Sequence, residues 1–94
     1  MDGKKALHVI VRGRVQGVCF RMETRKAAIG MNVRGWVKNR RDGAVEGVFE
    51  GAPEDVEALV NWCKRGPRMA SVSDVVARDT DYTGEYADFS IRYE

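Results

Sequence analysis

The sequence is poor in the residues that most often carry metal and acid–base chemistry. It contains one histidine and two cysteines among 94 residues. Cys19 and Cys63 lack the spacing of metal ligands, and His8 cannot complete a zinc site with them. No pair of carboxylates suited to general acid–base catalysis is visible, and no cysteine–histidine pair is visible either. We therefore expect no metal and no cofactor, and we interpret His8 as a strand-surface residue without a catalytic role.

Long apolar segments are also missing. No run approaches the length of a membrane span, and Met1–Lys5 is charged where a secretory signal needs apolar residues. We therefore expect a cytoplasmic protein that does not bind membranes and whose cysteines are free thiols, and a disulfide between Cys19 and Cys63 stays open as the alternative. The net charge of +2 is too small to imply binding to nucleic acid. Apolar residues still make up 44% of the chain, which is enough for one core, so residues 1–94 are predicted to form a single domain.

Hydrophobic periodicity predicts two helices and five strands. An Asp-Gly pair at Asp42 and Gly43 indicates a hairpin between the second and third strands. The order of elements indicates a ferredoxin-like α+β sandwich, βαββαβ plus an extra strand, with two helices packed on one face of a mostly antiparallel sheet. The predicted strands are Ala6–Arg12, Val33–Asn39, Ala44–Glu50, Val72–Arg78 and Asp88–Tyr93, and the predicted helices are Phe20–Met31 and Pro53–Arg65.

The same periodicity predicts which side chains face the core. Gly30 is expected to end the first helix, and a polar turn is expected around Asp79–Tyr86. One side of the third strand, with Glu46, Val48 and Glu50, is expected to face water. The core-facing residues are predicted to be Phe20, Thr24, Ala27 and Met31 in the first helix and Val56, Leu59, Val60 and Cys63 in the second.

The loop between the first strand and the first helix, Gly13–Arg21, has the features of an anion-binding site. Gly13 and Gly17 can adopt backbone angles that other residues avoid, so that consecutive N–H groups can turn toward one ligand. The N-terminus of the following helix adds unpaired N–H groups, and Arg21 adds a planar set of donors suited to phosphate. The same residues fit equally well an alternative interpretation, in which the loop is simply tight and Arg21 is a solvated surface residue.

The predicted topology brings Asn39 to the same edge of the sheet as this loop. The first strand ends there, the first helix begins there, and the second strand ends there at Asn39. An asparagine amide can hold a water molecule, and hydrolysis of a phosphorylated substrate requires a water that is aimed at phosphorus. Asparagine is also common where a strand enters a turn, so this alternative stays open.

Two stretches resemble the signatures of the acylphosphatase family. Val11–Arg21 resembles the first signature, and Gly35–Asn39, followed by Asp-Gly, resembles the second. Both occur in the family's order and spacing, and the resemblance extends over essentially the whole chain to Phe89–Tyr93. Every motif position is matched, and Cys19 occupies a variable one.

The resemblance implies a ferredoxin-like fold and the hydrolysis of acyl phosphates to a carboxylate and inorganic phosphate. In the family, the arginine that ends the first signature binds phosphate and the asparagine of the second orients water. These roles are carried over to Arg21 and Asn39, and we expect a monomer that needs no metal and no cofactor. The phosphate-binding residues are expected to be Val15, Gln16, Gly17, Val18, Cys19, Phe20 and Arg21.

Several other functions fit the residues less well. A phosphatase with Cys19 as nucleophile lacks a base, and an RNA-binding module would need aromatic residues that the strands do not supply. Acylphosphatase-like domains also occur within larger carbamoyl-transfer proteins, whereas a chain of this length is expected to act alone. The presence of both Arg21 and Asn39 argues against the hypothesis that the chain is an inactive member of the family. The predicted contacts hold only phosphate and therefore do not identify the acyl group.

Overall fold

The computed structural model describes residues 3–93. Met1 and Asp2, which belong to the charged stretch at the start of the sequence, lie outside the described residues, as does Glu94. The predicted number and order of helices and strands are confirmed. The elements are β1 (Lys5–Arg14), α1 (Phe20–Gly30), β2 (Arg34–Asn39), β3 (Val45–Gly51), α2 (Pro53–Arg65), β4 (Ser71–Thr80) and β5 (Phe89–Arg92).

The five strands form one sheet in the order β4-β1-β3-β2-β5. The pairs β1–β3, β1–β4 and β2–β3 are antiparallel, and only β5 runs parallel to its neighbour β2. Both helices pack on the sheet, α1 over β2 and β5 and α2 over β1, β3 and β4. The ferredoxin-like α+β fold with an extra strand is thus confirmed. Because β2 and β5 are parallel, both end at the edge of the sheet where β1 ends and α1 begins.

Helix α2 has the predicted bounds and the predicted buried side. Pro53 occupies its first turn together with Glu54 and Asp55, and two basic residues occupy its last turn, so the charges complement the helix dipole. Gly66 follows with a φ of 71° and ends the helix. The buried residues are Val56, Leu59, Val60 and Cys63, as predicted.

Helix α1 differs from the prediction on its buried side. Phe20, Thr24 and Ala28 are buried, whereas Ala27 and Met31 are only partly buried and pack at the margin of the core. The Thr24 hydroxyl donates to the Phe20 carbonyl at 2.7 Å, which allows this polar residue to be buried. Residues four apart therefore form the buried row.

The end of α1 also corrects the prediction. The helix does end at Gly30, but the left-handed residue is Asn32, with a φ of 61°. The backbone N–H groups of Met31, Asn32 and Val33 donate to the last helical carbonyls and terminate the helix. Asparagine tolerates this conformation, so it takes the role that the sequence assigned to glycine.

The sheet face opposite the helices is not as exposed as predicted at Glu50. Only 2% of Glu50 is exposed, because residues 81–86 fold back across this face. The Glu50 carboxylate accepts hydrogen bonds from the Thr83 N–H at 2.9 Å, the Thr83 hydroxyl at 3.0 Å and the Gly84 N–H at 3.0 Å. The prediction that Glu50 faces water is therefore wrong. The predicted polar turn is shorter than expected, because β4 continues to Thr80.

Candidate active site

The loop between β1 and α1 begins at a bulge that only glycine can occupy. The register between β1 and β4 shifts between Arg12 and Gly13, and Gly13 has a φ of 123°. A Cβ atom at Gly13 would lie 2.2 Å from the Ser71 carbonyl oxygen. Farther along the loop, Gly17 has a φ of 75° and Cys19 a φ of 61°. The sequence predicted unusual angles at both glycines, but the left-handed Cys19 was missed because cysteine has no preference for that conformation.

The loop leaves a run of backbone N–H groups without acceptors. Within the described residues 3–93, no N–H group of residues 16–22 donates to a backbone or side-chain oxygen. The first N–H that does so in this region belongs to Glu23 and donates to the Cys19 carbonyl at 3.0 Å. The first N–H groups of any helix lack partners and carry partial positive charge. Here the loop extends that set of free donors, so the segment is suited to an anion.

Arg21 and Asn39 line one cavity beside this loop, with a volume of about 380 Å³. The Arg21 side chain is half-buried, and its Cζ atom lies 5.0 Å from the centroid of the Tyr93 ring. Gln16 and Val18, from the same predicted set, are not among the residues that line the cavity. The lining residues are Val15, Gly17, Cys19, Phe20, Arg21, Met22, Asn39, Ile91 and Tyr93.

Asn39 presents an unsatisfied acceptor at this site. Its Oδ1 atom is buried and accepts no hydrogen bond from any part of the chain that the structure describes. A buried acceptor without a partner costs about 1–3 kcal/mol, so such atoms usually bind water or a ligand. Asn39 therefore combines a buried, unpaired acceptor with a place in the wall of the cavity that Arg21 lines.

The hairpin after Asn39 is tied to the loop by Gln16. The Gln16 amide donates to the carbonyl oxygens of Arg40 at 2.8 Å and Ala44 at 2.9 Å. Within the hairpin, the N–H of Ala44 donates to Asp42 Oδ1 at 3.1 Å, and this bond lowers the pKa of Asp42 below its ordinary value, with a further contribution from Arg40. The side chain of Gln16 thus fixes the loop relative to Asn39, which leaves only its backbone N–H for a ligand.

Both cysteines are free thiols, as predicted. Cys63 is buried in the apolar row of α2, and burial raises the pKa of its thiol to about 12. Cys19 is exposed and lines the cavity. The two thiols therefore differ sharply in access to solvent.

Three residues of the cavity wall were missed at the sequence level. Met22 follows Arg21 in α1, while Ile91 and Tyr93 come from β5 and the residue after it. The parallel pairing of β2 with β5 brings them beside Asn39. For Ile91 and Tyr93, a prediction that the last strand runs parallel to β2 could have found them; the position of Met22 directly after Arg21 was the signal for that residue.

No metal centre and no membrane helix are present in the described part of the chain. Residues 3–93 contain no group of three or more histidine, cysteine, aspartate or glutamate side chains placed to hold an ion. Neither helix is long and apolar enough to span a membrane.

Known proteins share both the sequence and the fold. The family model for acylphosphatase matches residues 7–91. An acylphosphatase from Pelotomaculum thermopropionicum is 56% identical over 92% of this chain and 94% of its own length. The solved acylphosphatases from Coxiella burnetii and Bacillus subtilis are 39% and 36% identical, with TM-scores of 0.90 and 0.89. They cover 95% and 94% of this chain, and 93% and 98% of their own chains are matched. The chain therefore belongs to the acylphosphatase family, whose members hydrolyse acyl phosphates.

Proposed function

We propose that the loop of residues 15–20 and Arg21 hold the phosphate of an acyl phosphate, while Asn39 orients the attacking water. The observation that carries this proposal is that Asn39, whose buried Oδ1 atom has no partner, lines the same cavity as Arg21. The unpaired N–H groups of residues 16–22 supply donors for the phosphate oxygens. The site then offers donors for an anion and one acceptor for the hydrogen of a water molecule.

The reaction is direct attack of water on phosphorus. The P–O bond to the acyl group breaks and a new P–O bond forms, so that RCO–OPO₃²⁻ and H₂O give RCOO⁻ and H₂PO₄⁻. A carboxylate is a stable leaving group, so strong general-acid help is unnecessary. Positioning and charge stabilisation carry most of phosphoryl transfer, and Arg21 and the loop supply both.

A comparison of two substrates with the same ring tests the proposal. Benzoyl phosphate has a carboxylate leaving group, whereas phenyl phosphate releases a phenolate that needs protonation. We expect the protein to release inorganic phosphate from benzoyl phosphate and to leave phenyl phosphate essentially untouched. Comparable rates for the two compounds would contradict the proposal, because they would require a general acid.

We also propose that residues 1–94 form one domain that acts as a cytoplasmic monomer. The family match over residues 7–91 supports the first part. Sedimentation of the purified protein tests whether it is a monomer, and a species of twice the monomer mass would contradict that part of the proposal.

A further inference from the structure

A second depression adjoins the phosphate loop on the side of α2. Its volume is about 510 Å³, and it lies between the loop, the first turn of α1 and the segment that follows α2. Gly17 and Cys19 line both this groove and the cavity that contains Asn39. The two spaces therefore meet at the loop, and a ligand whose phosphate sits on the loop can extend into the groove.

The groove offers apolar surface to a ligand. The Trp62 ring is half-buried and packs against Phe20, with ring centroids 5.8 Å apart. Met69 also lines the groove and is 65% exposed, which is unusual for a large apolar side chain. A rigid aromatic ring beside an exposed thioether favours contact with the carbon atoms of a ligand.

The groove also carries excess positive charge. Arg14 and Arg68 line it with exposed side chains, and neither side chain has a hydrogen bond or ion pair to a residue in the range 3–93. By contrast, Arg12 and Arg40, outside the groove, both pair with Asp42. Glu23 is the carboxylate that lines the groove, and its negative charge offsets the positive charge of one arginine. One positive charge remains in excess, so the groove favours an anion.

The geometry of the reaction directs the acyl group toward this groove. The attacking and leaving oxygens of a phosphoryl transfer lie roughly in line on opposite sides of phosphorus. Asn39 lies on the β2–β5 side of the loop, where the proposed water binds. The leaving oxygen must then point away from Asn39, and the groove beside Trp62 and Arg68 occupies the side of α2.

We propose that this groove binds the acyl group of the substrate, and that the preferred substrates are acyl phosphates whose acyl group carries a second negative charge. This inference rests on the proposed function. Trp62 and Met69 contact the carbon chain or ring, and Arg14 and Arg68 pair with the distal anion. The neighbouring Arg21 remains dedicated to the phosphate.

Two aromatic substrates that differ by one charged group test this inference. Benzoyl phosphate has an uncharged ring, and 4-carboxybenzoyl phosphate carries a carboxylate that cannot reach its own anhydride carbon. We expect kcat/KM to be higher for the charged substrate. For each protein we measure the kcat/KM for the charged substrate divided by the kcat/KM for benzoyl phosphate. The ratio of each variant is then divided by the ratio of the wild-type protein. Differences in the intrinsic reactivity of the two substrates cancel in this comparison.

Arg68→Ser and Arg14→Ser remove one groove charge each, and Arg78→Ser is the matched control. Arg78 is exposed on β4, at a position paired with His8 and away from the groove. We expect Arg68→Ser and Arg14→Ser each to lower the ratio about twofold to fivefold, the effect of losing one exposed charge pair. Arg78→Ser should leave the ratio at its wild-type value.

The outcomes separate this inference from the function on which it rests. Release of phosphate from neither substrate by the wild-type protein would overturn both. Release from both substrates, with a ratio that neither groove variant changes, would overturn the acyl site and leave the hydrolysis intact. An equal loss in Arg78→Ser would also overturn it, because the effect would then come from net charge.

Discussion

Arg21 is the residue on which the proposed phosphate binding depends most. Its guanidinium faces the cavity beside a run of free N–H groups, and its described contact is with the Tyr93 ring. Because no carboxylate within residues 3–93 pairs with it, its donors remain available to phosphate. The proposed function therefore assigns the principal binding charge to this one side chain.

Replacement of Arg21 by alanine should therefore remove most turnover. We expect kcat/KM for benzoyl phosphate to fall on the order of a thousandfold, the scale seen when a charge-stabilising group is deleted from a transition state. Inhibition by inorganic phosphate should weaken as well. Arg21→Lys should restore little, because an ammonium cannot make a planar two-point contact. Near-normal turnover in an Arg21→Ala variant with a native circular dichroism spectrum would refute the assignment.

The two thiols differ in environment, and a second prediction follows from that difference. Burial raises the pKa of Cys63 to about 12, so it remains a neutral, inaccessible thiol, whereas Cys19 is exposed at the cavity. Iodoacetamide should modify one thiol in the native protein and two after denaturation. Modification of Cys19 should block phosphate entry by its bulk, and Cys19→Ser should remain active because the thiol takes no part in the reaction.

Outcomes of two kinds would contradict this prediction. A folded Cys19→Ser variant that binds phosphate but has no activity would restore the nucleophile hypothesis. The absence of any free thiol in the unreduced, denatured protein would instead establish a disulfide between Cys19 and Cys63.

At the scale of elements, two attachments fix the first half of the loop. Gly13 begins it against β4, and Gln16 ties it to the hairpin between β2 and β3. Each attachment joins segments far apart in the sequence. The loop geometry therefore depends on the sheet as well as on its own glycines.

Gly13→Ala tests the first attachment. The new Cβ would meet the Ser71 carbonyl oxygen at 2.2 Å in a conformation that alanine avoids, so we expect a loss of at least about 2 kcal/mol in the free energy of unfolding. Gly30→Ala is the matched control. Gly30 has open space around its Cα and no positive φ, so alanine there should be neutral or stabilising by up to about 1 kcal/mol. Urea denaturation measures both, and equal midpoints would contradict the bulge argument.

At the scale of the whole molecule, the sequence predicted what depends on local periodicity. The row of Val56, Leu59, Val60 and Cys63 repeats at helical spacing and predicted the buried side of α2 correctly, while Pro53 and Gly66 predicted its bounds. Topological reasoning also brought Arg21 and Asn39 to one edge of the sheet, and both line one cavity.

Features that depend on distant partners were not predictable in the same way. Glu50 is buried by Thr83 and Gly84, more than thirty residues away, and strand alternation carries no signal for that segment. Likewise, Tyr93 meets Arg21 only because β5 pairs in parallel with β2. Such contacts belong to the tertiary fold, and the sequence pattern around either partner does not contain them.

The fold brings Arg21 and Asn39 to one cavity, where we propose that they perform two separate tasks, phosphate binding at Arg21 and water orientation at Asn39. Kinetics of Asn39→Ala, combined with inhibition by inorganic phosphate, test this claim most directly. We expect kcat for benzoyl phosphate to fall on the order of a hundredfold to a thousandfold, as for an interaction needed mainly in the transition state, while the inhibition constant of phosphate changes by less than about twofold. Loss of phosphate binding with kcat preserved at saturation would contradict the account.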